Sequence, residues 1–229
     1  MTQASLQLMK TFLKSLDGND WNRLQPFHVK SLRSLQHLKI DTALLHAAAT
    51  FWDPKDHVFR FNSQELCPLI EEFAAILGCS LDSTAMVALP DLDMQIPHRL
   101  ITFFDMPPDT IYSSLLPSGL LNLSSLLTAC ETKDKNTPAW VRTVSFCLYA
   151  QFLLVSSKGD ADMRIISIIE QVETGINPMP VILAETLIGL DNFKEENRLS
   201  GSLLLLQVCN QNFYLSLNFC LSRPFGFST

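Results

Sequence analysis

Five histidines could bind a metal ion or act as acid–base groups in this chain, and they are His28, His37, His46, His57 and His98. No two of them are four residues apart, and none shares a metal-binding motif with a glutamate. His57 lies between Asp56 and Val58, close in sequence to Trp52. We expect His57 to donate a hydrogen bond that holds a turn, and we expect no metal site.

Three pairs of neighbouring carboxylates could bind a divalent cation or divide acid and base roles between them. They are Asp91 with Asp93, Glu71 with Glu72, and Asp160 with Asp162. The start of a helix explains Glu71, Glu72 and Asp160, because the positive end of the helix dipole stabilises negative side chains. Asp91 and Asp93 have no third ligand near them in the sequence. We therefore assign no catalytic residue.

The six cysteines do not have the spacing of a zinc or redox motif, which places two cysteines two residues apart. They are Cys67, Cys79, Cys130, Cys147, Cys209 and Cys220. Four of them lie among apolar neighbours, where a reduced thiol packs as a small hydrophobic group. We expect reduced thiols in the core, and a disulfide or a metal site is the alternative.

The glycine-rich loops that bind phosphate and the serine elbow of hydrolases are both missing from the sequence. The chain has only 8 glycines in 229 residues. Nothing resembles the lysine setting of a pyridoxal phosphate enzyme, so we expect no cofactor. The polar residues are those of caps and turns, and we expect a protein that is not an enzyme.

Several of the residues considered above, including His57, Glu71 and Glu72, lie in the segment from residue 51 to residue 78. The secondary structure of this segment determines where their side chains lie. Phe59 and Phe61 are two residues apart, which is the period of a strand with one buried face. Leu66 is expected on the partner strand. These positions predict a small β-hairpin near residues 57–67.

A helix is expected after this hairpin, from Pro68 to Leu77. Proline is tolerated at the first helical position, because the amide of that position has no partner within the helix. Gly78 follows where a left-handed residue commonly ends a helix. We expect Leu69 and Phe73 to turn inward.

Helical periodicity dominates the rest of the chain. The expected N-caps are Asp41, Thr137 and Asp160. The helix that begins at Pro138 is apolar on almost every face and is expected at the centre of the fold. No long linker or internal repeat divides the sequence. We therefore expect a mainly α protein, a single compact multi-helix domain with a small β-hairpin near residues 57–67.

The net charge of −6 is unevenly distributed, because residues 1–40 hold six basic side chains and two acidic ones. The candidate basic patch is Lys10, Lys14, Lys30 and Arg33. Such a patch could contact nucleic acid. A solvated helix face is the favoured alternative, since no aromatic residues interleave with the basic ones. No stretch is long and apolar enough for a membrane span, so we expect a soluble protein of the cytosol or nucleus.

Two blocks of the sequence carry a family resemblance. The first is Trp52-x-Pro54-x-x-His57-x-Phe59, Glu65-Leu66, Leu69-Ile70-Glu71-Glu72-Phe73 and Ile76-Leu77-Gly78. The second is Asn177-Pro178-Met179-Pro180-Val181-Ile182-Leu183-Ala184-Glu185-Thr186. Together they resemble the plant mobile domain family, in its retrotransposon-associated branch. The resemblance spans residues 30–215 and leaves residues 1–29 as an N-terminal helix and basic extension.

The residues of interest fall into a structural motif and a candidate partner surface. The motif is Trp52, Pro54, His57, Phe59, Phe61, Glu65, Phe73, Gly78, Asn177, Pro178, Pro180 and Glu185. We expect its aromatic side chains in the core rather than at an interface, because buried aromatic residues dominate packing energetics. The candidate partner surface is Lys55, Asp56, Arg60 and Gln64.

The resemblance implies a mostly helical domain found in transposable elements and in host genes derived from them. Such proteins are nuclear, take part in transposon silencing and gene expression, and in some cases act beside a protein-phosphatase-like partner. The first hypothesis is a noncatalytic nuclear protein-interaction domain. The alternative is a nucleic-acid-handling factor, whose binding would depend steeply on salt, or an unrecognised enzyme of a mobile element, which would need a deep pocket with convergent polar groups.

Overall fold

Helices form most of the structure, and two small antiparallel sheets lie between them. The computed structural model describes residues 3–35, 37–61, 64–81, 87–88, 96–156 and 160–209. The helices are α1 (Gln3–Ser15), α2 (Gly18–Arg23), α3 (Leu32–Leu35), α4 (Thr42–Ala49), α5 (Ile70–Leu77), α6 (Ile96–Phe104), α7 (Pro108–Ser114), α8 (Leu123–Glu131), α9 (Pro138–Leu148), α10 (Ile165–Glu173), α11 (Met179–Asp191), α12 (Phe193–Glu196) and α13 (203–209). A 3₁₀ turn covers Gln25–Phe27 and a π-helical turn covers Tyr149–Leu153. The predicted mainly α fold is confirmed.

The strands are short, and they pair in two separate sheets. They are β1 (Trp52–Asp53), β2 (Val58–Phe61), β3 (Gln64–Leu66), β4 (Leu120–Leu121) and β5 (Ala161–Asp162). The first sheet has the order β1-β2-β3, with Phe59 opposite both Trp52 and Leu66. The predicted hairpin is confirmed by β2 and β3. The sequence did not predict β1 or the β4–β5 pair, because two-residue strands carry no periodic signal.

Two of the three expected N-caps are confirmed. Asp41 accepts a hydrogen bond from the amide of Leu44 (3.0 Å) and so caps α4. Thr137 accepts one from the amide of Trp140 (3.3 Å) and caps α9. Each cap satisfies an amide that has no partner within its helix.

The expected cap at Asp160 is wrong. The chain first passes through β5, and α10 begins only at Ile165. The nearby carboxylate that bonds the entry to this helix is Asp162, which accepts from the amide of Arg164 (2.8 Å). The pairing of β5 with β4 therefore displaced the helix start that the local sequence favoured.

Helix α5 begins later than the sequence indicated. Its first residue is Ile70 rather than Pro68. Leu69 is an extended residue ahead of the helix, and its side chain is 48% exposed, so the expected inward orientation is wrong. Phe73 is fully buried, as expected. Gly78 ends the helix in left-handed geometry (φ 69°), which confirms the predicted stop.

The larger hydrophobic cluster surrounds α9, whose central position is confirmed. Val144 and Leu148 are buried on one face of this helix, and Phe146 is buried on the opposite face. Helix α1 packs into the same cluster through Met9 and Leu13. Each such side chain contributes on the order of 2 kcal/mol by leaving water.

A smaller hydrophobic cluster holds the three-stranded sheet. It contains Leu45 of α4 and the aromatic residues Trp52 and Phe59. Helix α11 belongs to both clusters, since Ile182 lies in the larger one and Leu190 in the smaller one. This helix therefore connects the sheet to the main core.

The segment before α13 packs very closely against α11. Gly201 has φ 82°, and a Cβ at this position would lie 2.4 Å from the Cα of Thr186. The Thr186 hydroxyl accepts a hydrogen bond from the amide of Ser202 (2.9 Å), and the Ser202 hydroxyl donates to the carbonyl of Phe152 (2.9 Å). A glycine is required here by both the backbone angle and the space.

Candidate functional site

One carboxylate on α11 binds the three-stranded sheet. Trp52 is 2% exposed, and its indole Nε1 donates a hydrogen bond to Asp191 Oδ1 (2.7 Å). The other oxygen, Asp191 Oδ2, lies 3.2 Å from His57 Nε2. Because a carboxylate only accepts, His57 donates through Nε2. Sequence reasoning missed Asp191, since no local pattern links it to a tryptophan 139 residues away.

His57 occupies a left-handed position in the β1–β2 turn, with φ 53°. Its ring stacks on that of Trp52, with the centroids 6.0 Å apart. Within the described parts of the chain, Asp191 is its hydrogen-bonding partner. The hydrogen bond expected of His57 exists, but it reaches α11 rather than the turn itself.

Arg60 is surrounded by three carboxylates on the outer face of the sheet. Its guanidinium contacts Asp53 on β1 and Asp56 in the turn, and its Nε donates to Glu65 Oε1 on β3 (3.0 Å). The pKa of Asp53 is lowered, chiefly by the hydrogen bond from the Lys55 amide and further by the charge of Arg60. Each exposed ion pair of this kind contributes little stability. Together, the three pairs connect β1, the β1–β2 turn and β3 through one arginine side chain.

The predicted partner surface is exposed at all four of its positions. Asp56 and Arg60 are bound to each other, so they present a paired rather than a free charge. Lys55 and Gln64 make no side-chain bond with a described residue. The surface thus offers a partner fewer free charges than its sequence suggests.

The aromatic residues of the motif lie in the core. Phe59, Phe61 and Phe73 are buried together with Trp52, as the core interpretation requires. The rings of Trp52 and Phe59 meet edge to face, with their centroids 4.8 Å apart. Pro54 is exposed in the turn between β1 and β2.

Three large apolar side chains remain exposed around this sheet. Phe51, Leu66 and Leu69 are 50%, 37% and 48% exposed. Leu66 belongs to β3, the outer strand, and within the described residues no further strand pairs with it. An outer strand presents unpaired amide and carbonyl groups to which an extended segment can bond. The sheet therefore combines an open edge with exposed apolar surface.

The second sequence block starts α11. Asn177 is buried, and its Nδ2 donates to the carbonyl of Ser80 (3.0 Å) while its Oδ1 accepts from the amide of Met179 (2.9 Å). Pro178 and Pro180 lie on either side of Met179, the first residue of the helix. Prolines are favourable there because the first amides of a helix need no internal partner.

Glu185, also in the second block, lines a cavity of about 240 Å³ between α10, α11, α12 and the chain that follows the π-helical turn. Its apolar lining includes Leu154, Ile165, Ile168 and Ile188, and its polar lining includes Asp162, Arg164, Glu185, Asn192 and Glu196. Pockets for drug-sized ligands measure about 300–1,000 Å³. This volume corresponds to a side chain or a small fragment.

One ion pair lies within the cavity lining. Arg164 donates to both oxygens of Asp162, with distances of 2.6 to 3.1 Å. Burial raises the pKa of Asp162, but the hydrogen bonds from Arg164 outweigh it, and the net pKa is lowered. Glu185 and Glu196 form no ion pair with a described residue. Of Asp162, Arg164, Glu185 and Glu196, only Glu185 was in the predicted motif. An aspartate two residues before an arginine at a helix start was the sequence signal that could have indicated the Asp162–Arg164 pair.

A second cavity of about 220 Å³ contains two arginines, Arg99 and Arg142. Arg99 donates to Glu170 Oε2 (2.6 Å), and Arg142 donates to both oxygens of Glu173 (2.9 and 3.1 Å). Both guanidinium groups are therefore already paired, and this cavity offers a ligand no free charge.

The described cysteines are free thiols, which confirms the expectation for Cys130 and Cys147 in the core. Burial raises the pKa of Cys79 and of Cys130 to about 12, and that of Cys147 well above its usual value. A thiol that stays protonated at neutral pH is a weak nucleophile. Cys220 lies outside the described residues.

The other carboxylate pairs noted in the sequence are Glu71 with Glu72 and Asp91 with Asp93. Glu71 and Glu72 lie in the first turn of α5, as expected for charges at a helix start. Asp91 and Asp93 lie outside the described residues. In the part of the chain that the structure covers, no group of three histidine, cysteine, aspartate or glutamate side chains could hold a metal ion.

The candidate basic patch is divided between two parts of the fold. Lys10 and Lys14 lie one turn apart on α1, and Lys10 is half-buried. Lys30 precedes α3 and Arg33 lies on it, and Lys30 Nζ donates weakly to Gln25 Oε1 (3.4 Å). None of the described helices has both the length and the apolar character to cross a membrane.

The sequence from residue 9 to residue 217 matches a family described as a domain of unknown function, DUF7745. The chain belongs to this family. No curated protein and no solved structure matches the chain.

The DUF7745 match covers the candidate sites described above. The matched residues include the three-stranded sheet, the Asp191 anchor and the whole described lining of the Glu185 cavity. They also include most of α1, which packs into the main core.

Proposed function

We propose that this chain is a noncatalytic protein-interaction domain of transposon origin that works in the nucleus, in transposon silencing or the regulation of gene expression. The likeness of residues 52–78 and 177–186 to plant mobile domain proteins supports the origin and the location. By the same likeness, a protein-phosphatase-like protein is the first partner to test.

The observation that carries this proposal is the exposed apolar surface at the open edge of the sheet. Leu66 on β3 and Leu69 just beyond it are exposed where the strand lacks a neighbour among the described residues. Exposed apolar groups next to unpaired backbone favour docking of an extended polypeptide, since both kinds of group gain partners at once. The Asp191 anchor holds the opposite strand, β1, on α11.

Site-specific photo-crosslinking in nuclear extract tests the proposal. A photoreactive side chain at Leu69 should capture one protein in nuclease-treated extract. The same group at Tyr112, which is 55% exposed on α7, should not capture it. The captured protein is then purified, and its binding to variants of the domain is measured. The double variant Leu66→Glu/Leu69→Glu should no longer bind this protein, and Tyr112→Glu should bind it as the wild type does.

Two results would contradict the proposal. One is equal capture at both positions. The other is recovery of nucleic acid alone, with binding that falls steeply with salt and disappears when Lys10, Lys14, Lys30 and Arg33 are neutralised, which would favour the nucleic-acid alternative.

A further inference from the structure

Among the described residues, the lining of the cavity beside Glu185 has an excess of negative charge. Three carboxylates and one guanidinium line it, an excess of two negative charges. Both oxygens of Asp162 accept hydrogen bonds from Arg164, and the charge of Glu185 acts on the same guanidinium from a longer distance. Glu185 and Glu196 have no ion-pair partner among the described residues. An anionic ligand is therefore disfavoured, and a cation is favoured.

Apolar side chains form much of the remaining lining, together with the polar Asn192 and two serines. Ile165 and Ile168 are buried on α10, and Ile188 of α11 is 49% exposed. A purely apolar ligand would take water from the half-buried Glu185 carboxylate without replacing it, which is unfavourable. A ligand with an apolar stem and a positive head satisfies both parts of the cavity. Lysine and arginine side chains have this construction.

We propose that this cavity binds the lysine or arginine side chain of a partner polypeptide. The proposal rests on the protein-interaction function above and adds a second contact to it. Volume supports a side chain over a larger ligand, because about 240 Å³ is below the usual range for small-molecule sites.

Helix α11 places this cavity close to the sheet. Glu185 and Ile188 line the cavity, and Asp191, on the same helix, holds Trp52. At about 1.5 Å per residue, Glu185 and Asp191 are about 9 Å apart along the helix axis. Helix α11 therefore contributes both to the cavity and to the anchor of the sheet.

Methyl NMR of the whole chain tests the proposal, because three isoleucines line the cavity. The probes are acetyl-Gly-Arg-Gly amide and the same tripeptide with citrulline, which keeps the shape of arginine but lacks its charge. The arginine peptide should shift the methyl signals of Ile165, Ile168 and Ile188 saturably at about millimolar concentration, and that of Ile111 in the core should not move. The citrulline peptide should leave all four unchanged.

A matched pair of variants assigns the binding to the cavity. Glu185→Gln should weaken binding of the arginine peptide about fivefold, because it removes one of the two free charges. Glu131→Gln changes an exposed carboxylate on α8 and should leave binding unchanged. Thermal unfolding shows that both variants are folded.

The remaining outcomes each decide between sources or contradict the proposal. If spermidine shifts the same isoleucine methyl signals and binds more tightly than the arginine peptide, the ligand of the cavity is a polyamine rather than a polypeptide, which contradicts the proposal. Equal shifts with citrulline, or binding unaffected by Glu185→Gln, would contradict the site. If photo-crosslinking at Leu69 captures a partner that binds Glu185→Gln as tightly as the wild type, the proposed function stands and this site fails. If the arginine peptide gives a saturable, charge-dependent shift but no partner is captured at Leu69, the site stands and the proposed function fails.

Discussion

Asp191 links two parts of the protein through a single side chain. Its oxygens accept from Trp52 and His57, which approach from the sheet, while its backbone belongs to the last turn of α11. The indole N–H of Trp52 is buried, so it depends on Asp191 as its hydrogen-bond acceptor. A buried donor without an acceptor costs about 1–3 kcal/mol.

Replacement of Asp191 should therefore reduce stability in graded steps. Asp191→Ala should lower the free energy of unfolding by about 2 kcal/mol, because the indole N–H of Trp52 loses its acceptor. Asp191→Asn retains an oxygen at that position and should cost less. Urea denaturation followed by circular dichroism measures both. Glu131→Ala, on the surface of α8, serves as the control and should change stability by under about 0.5 kcal/mol. Unaltered stability of Asp191→Ala would contradict the anchor.

Close packing between α11 and the segment before α13 depends on glycine at position 201. A side chain there would meet the backbone of Thr186, which cannot move without displacing the helix. Gly119 also has a left-handed angle (φ 77°), but a Cβ added to it would have no neighbouring atom within 4 Å. The two glycines therefore separate the backbone effect from the packing effect.

Alanine substitutions at these glycines should differ in cost. Gly119→Ala should destabilise the fold by about 1 kcal/mol, through its backbone angle alone. Gly201→Ala should cost about 3 kcal/mol or more, because overpacking is added to the same strain. Chemical denaturation of the two variants gives the comparison. Equal losses would show that α11 and the segment do not pack as described.

The pairing of Asp162 with Arg164 at the start of α10 should make stability depend on pH. The pKa of Asp162 is lower in the fold than its ordinary value of 3.8. Its contribution is therefore complete well above that ordinary value and is lost as the pH falls through the folded pKa. Asp162→Asn should be less stable than the wild type at pH 7, and the difference should shrink toward about pH 2.5. A difference that stays constant in urea titrations at both pH values would contradict this.

Local chemistry predicted the elements whose signals lie in adjacent residues. Asp41, Thr137 and Gly78 were found because a cap or a left-handed stop depends on its immediate neighbours. Asp160 was misassigned because a strand partner 40 residues earlier, which no local pattern indicates, set the path of the chain. Asp191 was missed for the same reason. Features created by tertiary contact therefore have no sequence signature of their own.

The described residues of the molecule form two hydrophobic clusters that share α11. The larger contains α9 and its neighbours, and the smaller contains the sheet, α4 and the end of α11. Phe146 is buried in the first and Phe59 in the second. Because stability is distributed unevenly when clusters are distinct, the sheet should open without the rest of the fold.

Hydrogen exchange should reveal this division. Phe59→Leu should accelerate exchange of the amides in α4 and β1–β3 about tenfold while changing α9 much less. Phe146→Leu should accelerate exchange in α9 as well as in the sheet, since the smaller cluster rests on the larger one. The same acceleration everywhere in both variants would instead indicate a single cooperative unit.

The π-helical turn after α9 affects the position of everything that follows it. Leu154 donates to the carbonyl of Tyr149, five residues earlier, so this turn holds one residue more than an ordinary helical turn. Deleting one residue here would remove the extra residue of the turn, so the backbone on either side would keep nearly the same phase. The cost would fall on the side chains, because all five residues of the turn, 149–153, are buried. A one-residue deletion in this turn should therefore be less harmful than one in the middle of α9, where no extra residue absorbs it and the chain that builds the second half of the fold would rotate by about 100°.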